Sequence, residues 1–134
     1  MNRQQKDYAF AKAAYQTACE AVKDYEKKWI IEQGIKNPDG TIPARICAID
    51  CDMESFDAFC DVLEADKEYM ELCNTESDSY KLLVSAEDAL IDYALSLPLV
   101  PASVRETLNA HRKEYKIREK LIDSAFRLDT RTVK

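Results

Sequence analysis

Two glycines in 134 residues, Gly34 and Gly40, constrain this chain more than any other feature. Average usage of about 7% would supply roughly nine. Loops that cradle phosphate on backbone amides need several glycines for close approach, so dinucleotide-binding and P-loop folds are excluded. A sheet protein built on many tight hairpins is excluded for the same reason. The chain is therefore expected to be all-α. It is read as a single domain over residues 1–134, long enough to bury about two-thirds of its unfolded surface without a metal or disulfide.

Apolar spacing predicts four main helices. The first, over residues 4–33, repeats Tyr8, Tyr15, Val22 and Trp29 every seven residues, with Ala11, Ala18 and Tyr25 between them. That is a seam for another helix, and its alanines permit close approach. Gly34 sits where a left-handed residue ends a helix, with Ile35 positioned to touch Ile30 as in a Schellman motif. Asn37-Pro38-Asp39-Gly40 predicts a type I turn. Flanked by Ile35 and Ile42, it suits either a short two-stranded ribbon near residues 35–42 or a plain loop, and Pro43 argues against a long strand.

The second helix is expected over residues 52–73, capped by Asp50 or Asp52, with Phe56, Phe59, Cys60, Leu63, Met70 and Cys73 inward. The short polar link Asn74-Thr75-Glu76-Ser77 then predicts an antiparallel return through a third helix over 78–97. Leu83, Ala86, Leu90, Tyr93, Ala94 and Leu97 form its inner stripe, and Pro98 and Pro101 end it. Ser103 and Glu106 match a capping box for a fourth helix over 102–128. Helices one and four are expected to flank the hairpin of helices two and three. The end of helix one is free to project and pair with a second copy.

Charge is segregated along the chain. Residues 1–36 carry net +2, residues 37–97 net −12 and residues 98–134 net +4. The bland account is internal cancellation, in which the basic fourth helix neutralises the acidic hairpin. The functional account is an acidic face offered to a basic partner, such as a site that ordinarily holds nucleic acid. Asp57, Asp61, Glu64, Glu68, Glu71 and Asp88 lie off the apolar stripes and are the candidate partner-binding residues. The overall acidity argues against direct nucleic-acid binding, despite Arg112, Lys113, Lys116, Arg118, Lys120 and Arg127 in helix four.

Catalytic constellations are sparse. The single histidine, His111, falls on the apolar stripe between Leu108 and Tyr115, where packing is its expected role. Cys47 and Cys51 lack the second ligand pair that a zinc site uses, and Cys60 and Cys73 read as core residues. Cys51 is surrounded by Asp50, Asp52 and Glu54, which oppose thiolate formation. Those acids mimic the start of a calcium loop, but position 6 is Ser55 where glycine is needed, so they read as helix caps. No catalytic residue, metal or cofactor is expected. Five cysteines, no leader-like apolar stretch and no membrane-span pattern point to reduced thiols in the cytoplasm.

Two resemblances accompany these readings. Glu68 and Glu71 match the ExxE spacing of all-helical magnesium-dependent nucleotide pyrophosphohydrolases, but Glu87, Asp88 and Asp92 depart from the second, ExxD motif. The segments 86–93 (Ala86 to Tyr93), 100–105 (Val100 to Arg105) and 120–129 (Lys120 to Asp129) resemble small uncharacterised helical proteins of bacterial mobile elements. That resemblance covers mainly the last fifty residues and carries no catalytic motif. It implies a phage or conjugative-element context, in which such proteins act by binding host machinery. A non-enzymatic, partner-inhibiting module is the leading expectation, with a homo-oligomeric scaffold as its rival and the pyrophosphohydrolase as a further alternative.

Overall fold

The computed structural model describes residues 1–97 and 100–132, with side chains as far as Arg127. Among these residues the elements are α1 (Arg3–Glu32), a 3-10 turn at Ile46–Ala48, α2 (Met53–Glu64), α3 (Lys67–Ser96), α4 (Ala102–Ala110) and α5 (Tyr115–Thr132). The all-helical class expected from the glycine count is therefore found. No described helix is long and apolar enough to cross a membrane. The chain divides into two compact units, one of residues 1–13 and 81–134, the other of residues 14–80.

Helix α1 follows its seven-residue pattern closely. Every seam residue from Tyr8 to Trp29 is buried or half-buried. Its end is the Schellman motif foreseen: Ile35 N–H donates to the Ile30 carbonyl at 3.1 Å and Gly34 N–H to that of Ile31 at 3.1 Å. Gly34 holds φ at +68°, and no atom lies within 4 Å of where a Cβ would sit. The penalty of Gly34→Ala is thus purely backbone, about 1 kcal/mol. A fall of that size in chemical denaturation is expected.

The turn at 37–40 also forms, with Gly40 N–H donating to the Asn37 carbonyl at 2.8 Å. The two-stranded ribbon does not. Among the described residues there is no strand. Side chains, not a ladder, close this loop. Asn37 Oδ1 accepts from the Asp50 amide at 2.8 Å, its Nδ2 donates to the Ala48 carbonyl, and Asp39 holds the Thr41 amide at 2.9 Å.

The antiparallel return at Asn74–Ser77 is also corrected. Residues 67–96 are one helix, and the chain turns earlier, at Ala65–Asp66. The polar link holds neither glycine nor proline to stop a helix, and Thr75 Oγ1 donates back to the Glu71 carbonyl at 3.0 Å, as a hydroxyl within a helix can. Asp66 makes the break. Its Oδ1 accepts from the amides of Glu68 at 3.0 Å and Tyr69 at 3.2 Å, starting α3.

The fourth helix expected over 102–128 is two helices, so the four-helix count becomes five. α4 ends at His111, and Glu114 N–H closes a turn onto the His111 carbonyl at 3.0 Å. The bend allows Arg112 and Arg118 both to reach the acids of α3. Nor does the Ser103–Glu106 capping box form. Pro101, with φ fixed near −60°, takes the N-cap position two residues before Ser103, and no side chain caps α4. Of the stop signals for the third helix, Pro98 lies outside the described residues.

Each unit has its own core. In residues 14–80, Ile30, Ile46 and Leu63 are buried, with Tyr25, Trp29, Phe56, Cys60 and Tyr69 packed around them. In the other unit, Leu90, Ala94 and Ala125 form one cluster, and Ile91, Leu95 and Leu121 another. Gln5, 1% exposed, ties the chain start into that unit. It exchanges capping hydrogen bonds with Asn2 and donates through Nε2 to the Ala125 carbonyl at 3.2 Å.

Candidate functional site

The residues read as an acidic face separate into two groups of different character. Asp57, Asp61 and Glu64 follow one another at four and three residues along α2, so they share a stripe. Glu68 and Glu71, three apart, lie on the first turns of α3. All five are exposed, and none of them is ion-paired among the described residues. From Met53 to Asp78 the chain carries nine acids against Lys67 alone.

Asp88 belongs elsewhere. It lies in the other compact unit, where Arg118 Nη1 meets its carboxylate at 2.9 Å and Arg112 Nη2 at 3.9 Å. Arg118 Nε also pairs with Glu87 at 2.8 Å, and Arg112 Nη1 with Asp92 at 2.6 Å. Lying off the apolar stripe gives Asp88 the sequence signature of the acidic face, but not its surroundings. The basic helix neutralises it, as the bland account foresaw for the whole hairpin. Glu87, Asp88 and Asp92, the second group of acids in the pyrophosphohydrolase comparison, are thus all paired with arginine, whereas Glu68 and Glu71 are not. Among the described residues, no three His, Cys, Asp or Glu side chains converge as metal ligands.

Beside the α2 stripe lies a feature that pattern reading missed. A cavity of about 220 Å3 is lined by residues of α1, the 45–47 segment, α2 and α3. Glu26 closes one side of it and is only 4% exposed. Its Oε1 accepts from Arg45 Nε at 2.9 Å and from the Ile46 amide at 3.0 Å. Its Oε2 accepts from Arg45 Nη2 at 3.1 Å and from the Tyr69 hydroxyl at 3.0 Å. Four hydrogen bonds saturate the carboxylate. Burial pushes its pKa up, but the bonds from Arg45, Ile46 and Tyr69 outweigh that, and the net value lies below the ordinary range. Burial, with hydrogen bonds involving Cys73 and Glu26, holds the Tyr69 phenol above its usual range.

The neighbouring Tyr25 hydroxyl donates to Asp66, which pushes the Tyr25 pKa up to about 12 and lowers that of Asp66. Tyr25 and Tyr69 also pack, with ring centroids 5.7 Å apart. One signal for this network was present in the sequence. Arg45 is the sole base between Lys36 and Lys67, and a lone cation in an acidic stretch needs a partner.

Of the thiols, Cys73 hydrogen-bonds with Tyr69 and Cys47 and Cys60 line the cavity, whereas the imidazole of His111 belongs to the other compact unit. All five cysteines are free, with Cys47 and Cys51 exposed. His111 is not a packing residue: its side chain is 51% exposed and its Nδ1 lies 3.0 Å from Glu114. It sits in the bend after α4, which turns the expected apolar stripe away from it. Tyr115, expected on the same stripe, is 77% exposed. Comparison with protein-family models, curated proteins and solved structures finds no match to this chain.

Proposed function

We propose that this chain is a non-enzymatic protein-binding module. Its face of Asp57, Asp61, Glu64, Glu68 and Glu71 docks on a basic surface of another protein, such as a groove that ordinarily holds nucleic acid. The observation that supports this is selective neutralisation. Arg112 and Arg118 pair with Glu87, Asp88 and Asp92, whereas the five acids of residues 57–71 stay exposed without an ion partner among the described residues. Unpaired like charges raise the self-energy of a fold, and a basic partner relieves it. Glu26 fits that reading as a structural group: its four hydrogen bonds leave the buried carboxylate no free lone pair with which to move a proton.

The test uses charge and salt together. Replacing Glu64, Glu68 and Glu71 by lysine should weaken partner binding at least tenfold, about 1.4 kcal/mol or more, with the circular dichroism unchanged. Wild-type binding should also fall steeply between about 0.15 M and 1 M salt, as the Debye length shrinks from about 8 Å to 3 Å. Binding that survives both treatments overturns the acidic-face proposal. The second reading, a homo-oligomeric scaffold, is favoured by Phe10 at 78% and Leu82 at 67% exposed. It requires sedimentation as a dimer or larger that persists at 1 M salt, roughly where screening is complete.

A further inference from the structure

The 220 Å3 cavity is too small for a cofactor, since small-molecule pockets run from about 300 to 1,000 Å3. It has the scale of one side chain. Ile46, Phe56 and Leu63 give it apolar walls, and Glu64 stands among its lining residues as an exposed carboxylate. Glu64 is also the last member of the Asp57–Asp61–Glu64 stripe, so the acidic row on α2 leads to this opening. The two charges inside, Glu26 and Arg45, cancel in their own bidentate pair and leave Glu64 the uncompensated charge of the lining.

Resting on the acidic-face reading above, we infer that this cavity receives one arginine side chain of the basic partner. The aliphatic stem lies against Ile46, Phe56 and Leu63, and the guanidinium meets Glu64. Arginine suits the site better than lysine for three reasons. Its planar fork can pair bidentately with a carboxylate, its weaker hydration costs less to bury, and its flat face stacks on aromatic rings. Phe56 and Tyr69 both supply rings to the lining. Arginines that fill pockets are also among the residues that dominate interface energetics. The field inside has the required sign: burial, followed by the charges of Glu64, Asp57 and Asp61, raises the pKa of the Cys60 thiol.

Methyl-resolved NMR on the full chain tests this with a short peptide carrying four arginines, its lysine counterpart and its neutral citrulline counterpart. The arginine peptide should move the Ile46 and Leu63 methyl signals and leave Leu90 and Ile91 in place. The lysine peptide should bind roughly threefold more weakly and the citrulline peptide more than tenfold more weakly. Cys60→Met, which fills the cavity at constant charge, and Glu64→Gln should each weaken arginine-peptide binding about tenfold. Glu119→Gln, exposed in the other compact unit, should change it by less than about threefold. Unmoved Ile46 and Leu63 methyls in the wild-type chain, or an unaffected Cys60→Met variant, overturn the cavity proposal. If salt-sensitive binding persists in that case, the acidic-face reading stands alone. Equal binding of the lysine peptide overturns the assignment to arginine. An arginine peptide that fails to bind at low salt overturns both readings.

Discussion

Glu26→Ala is expected to lower folding stability by about 3 kcal/mol, although glutamate to alanine at an exposed helical site is nearly neutral. The alanine strands three donors at once: the Arg45 guanidinium, the buried Ile46 amide and the Tyr69 hydroxyl. Leaving one buried partner unsatisfied costs about 1–3 kcal/mol, and more for a charge. The lower end of the 3–5 kcal/mol range for broken buried pairs applies, because the Arg45 side chain keeps 34% of its surface in water. Trp29, the single tryptophan, packs against the same core and reports unfolding of residues 14–80 by its fluorescence. A double-mutant cycle sharpens the test. Arg45→Met should cost clearly less in a Glu26→Met background than in the wild type, and additive losses would mean the pair is not coupled.

The same residue sets a pH dependence. Its folded pKa lies below the ordinary glutamate value of 4.5. The native state therefore releases this proton more readily than the unfolded state. The resulting stability is present above pH ~4.5 and is lost as pH falls through the folded value. Asp66, lowered chiefly by the Tyr25 hydroxyl and then by the Tyr69 amide, acts in the same direction. At the alkaline end the sign reverses. Tyr25, raised to about 12, contributes stability that is intact below pH ~10 and lost as pH rises through the folded value. Glu26→Gln should flatten the acid limb and Tyr25→Phe the alkaline one.

Helix content was legible in the sequence because it depends on local signals of adequate strength. Gly34, the Tyr8–Trp29 heptads and the Asp52 cap each act within a few residues, and each is found. Asp52 Oδ1 indeed accepts from the Ser55 amide at 2.8 Å. Boundaries decided by distant partners were not legible. Asp66 breaks α2 from α3 while also holding Tyr25, 41 residues away, and no window on the chain displays that contact. The polar run at Asn74–Ser77 resembled a loop in composition, yet without glycine or proline nothing there interrupts a helix. The site was legible only as charge. Spacing identified the exposed acids, but it could not separate Asp88 from Glu64. That distinction lies in whether an arginine some thirty residues away folds back onto the carboxylate, as Arg118 does onto Asp88. Glu26 was hidden for the converse reason. A carboxylate beside an apolar seam reads as solvated unless its partners, Arg45 and Tyr69, are known.

Leu90→Ala should be comparably severe, at about 3 kcal/mol, and it acts in the other compact unit. Leu90 is fully buried against Ala94 and Ala125, with Tyr8, Tyr93, Ile122 and Phe126 packed around them. The two alanines make the site hard to repair. Short side chains already bring the backbones close, and a methyl group has no rotamer with which to fill a void. Tyr8 and Phe126 are held by their own contact, with centroids 5.8 Å apart, and have little freedom to swing inward. The cavity left by truncation should therefore persist, and its cost adds to the lost transfer energy. For a domain of this length the melting temperature should fall by roughly 10 °C. Leu82→Ala provides the contrast on the same helix. Leu82 is 67% exposed, and its truncation should stay within about 0.5 kcal/mol. Denaturant titration followed by circular dichroism measures both. If Leu90→Ala costs no more than Leu82→Ala, the cluster of Leu90, Ala94 and Ala125 is not a core, and the packing of α5 onto the chain must rest on the Arg118 ion pairs instead.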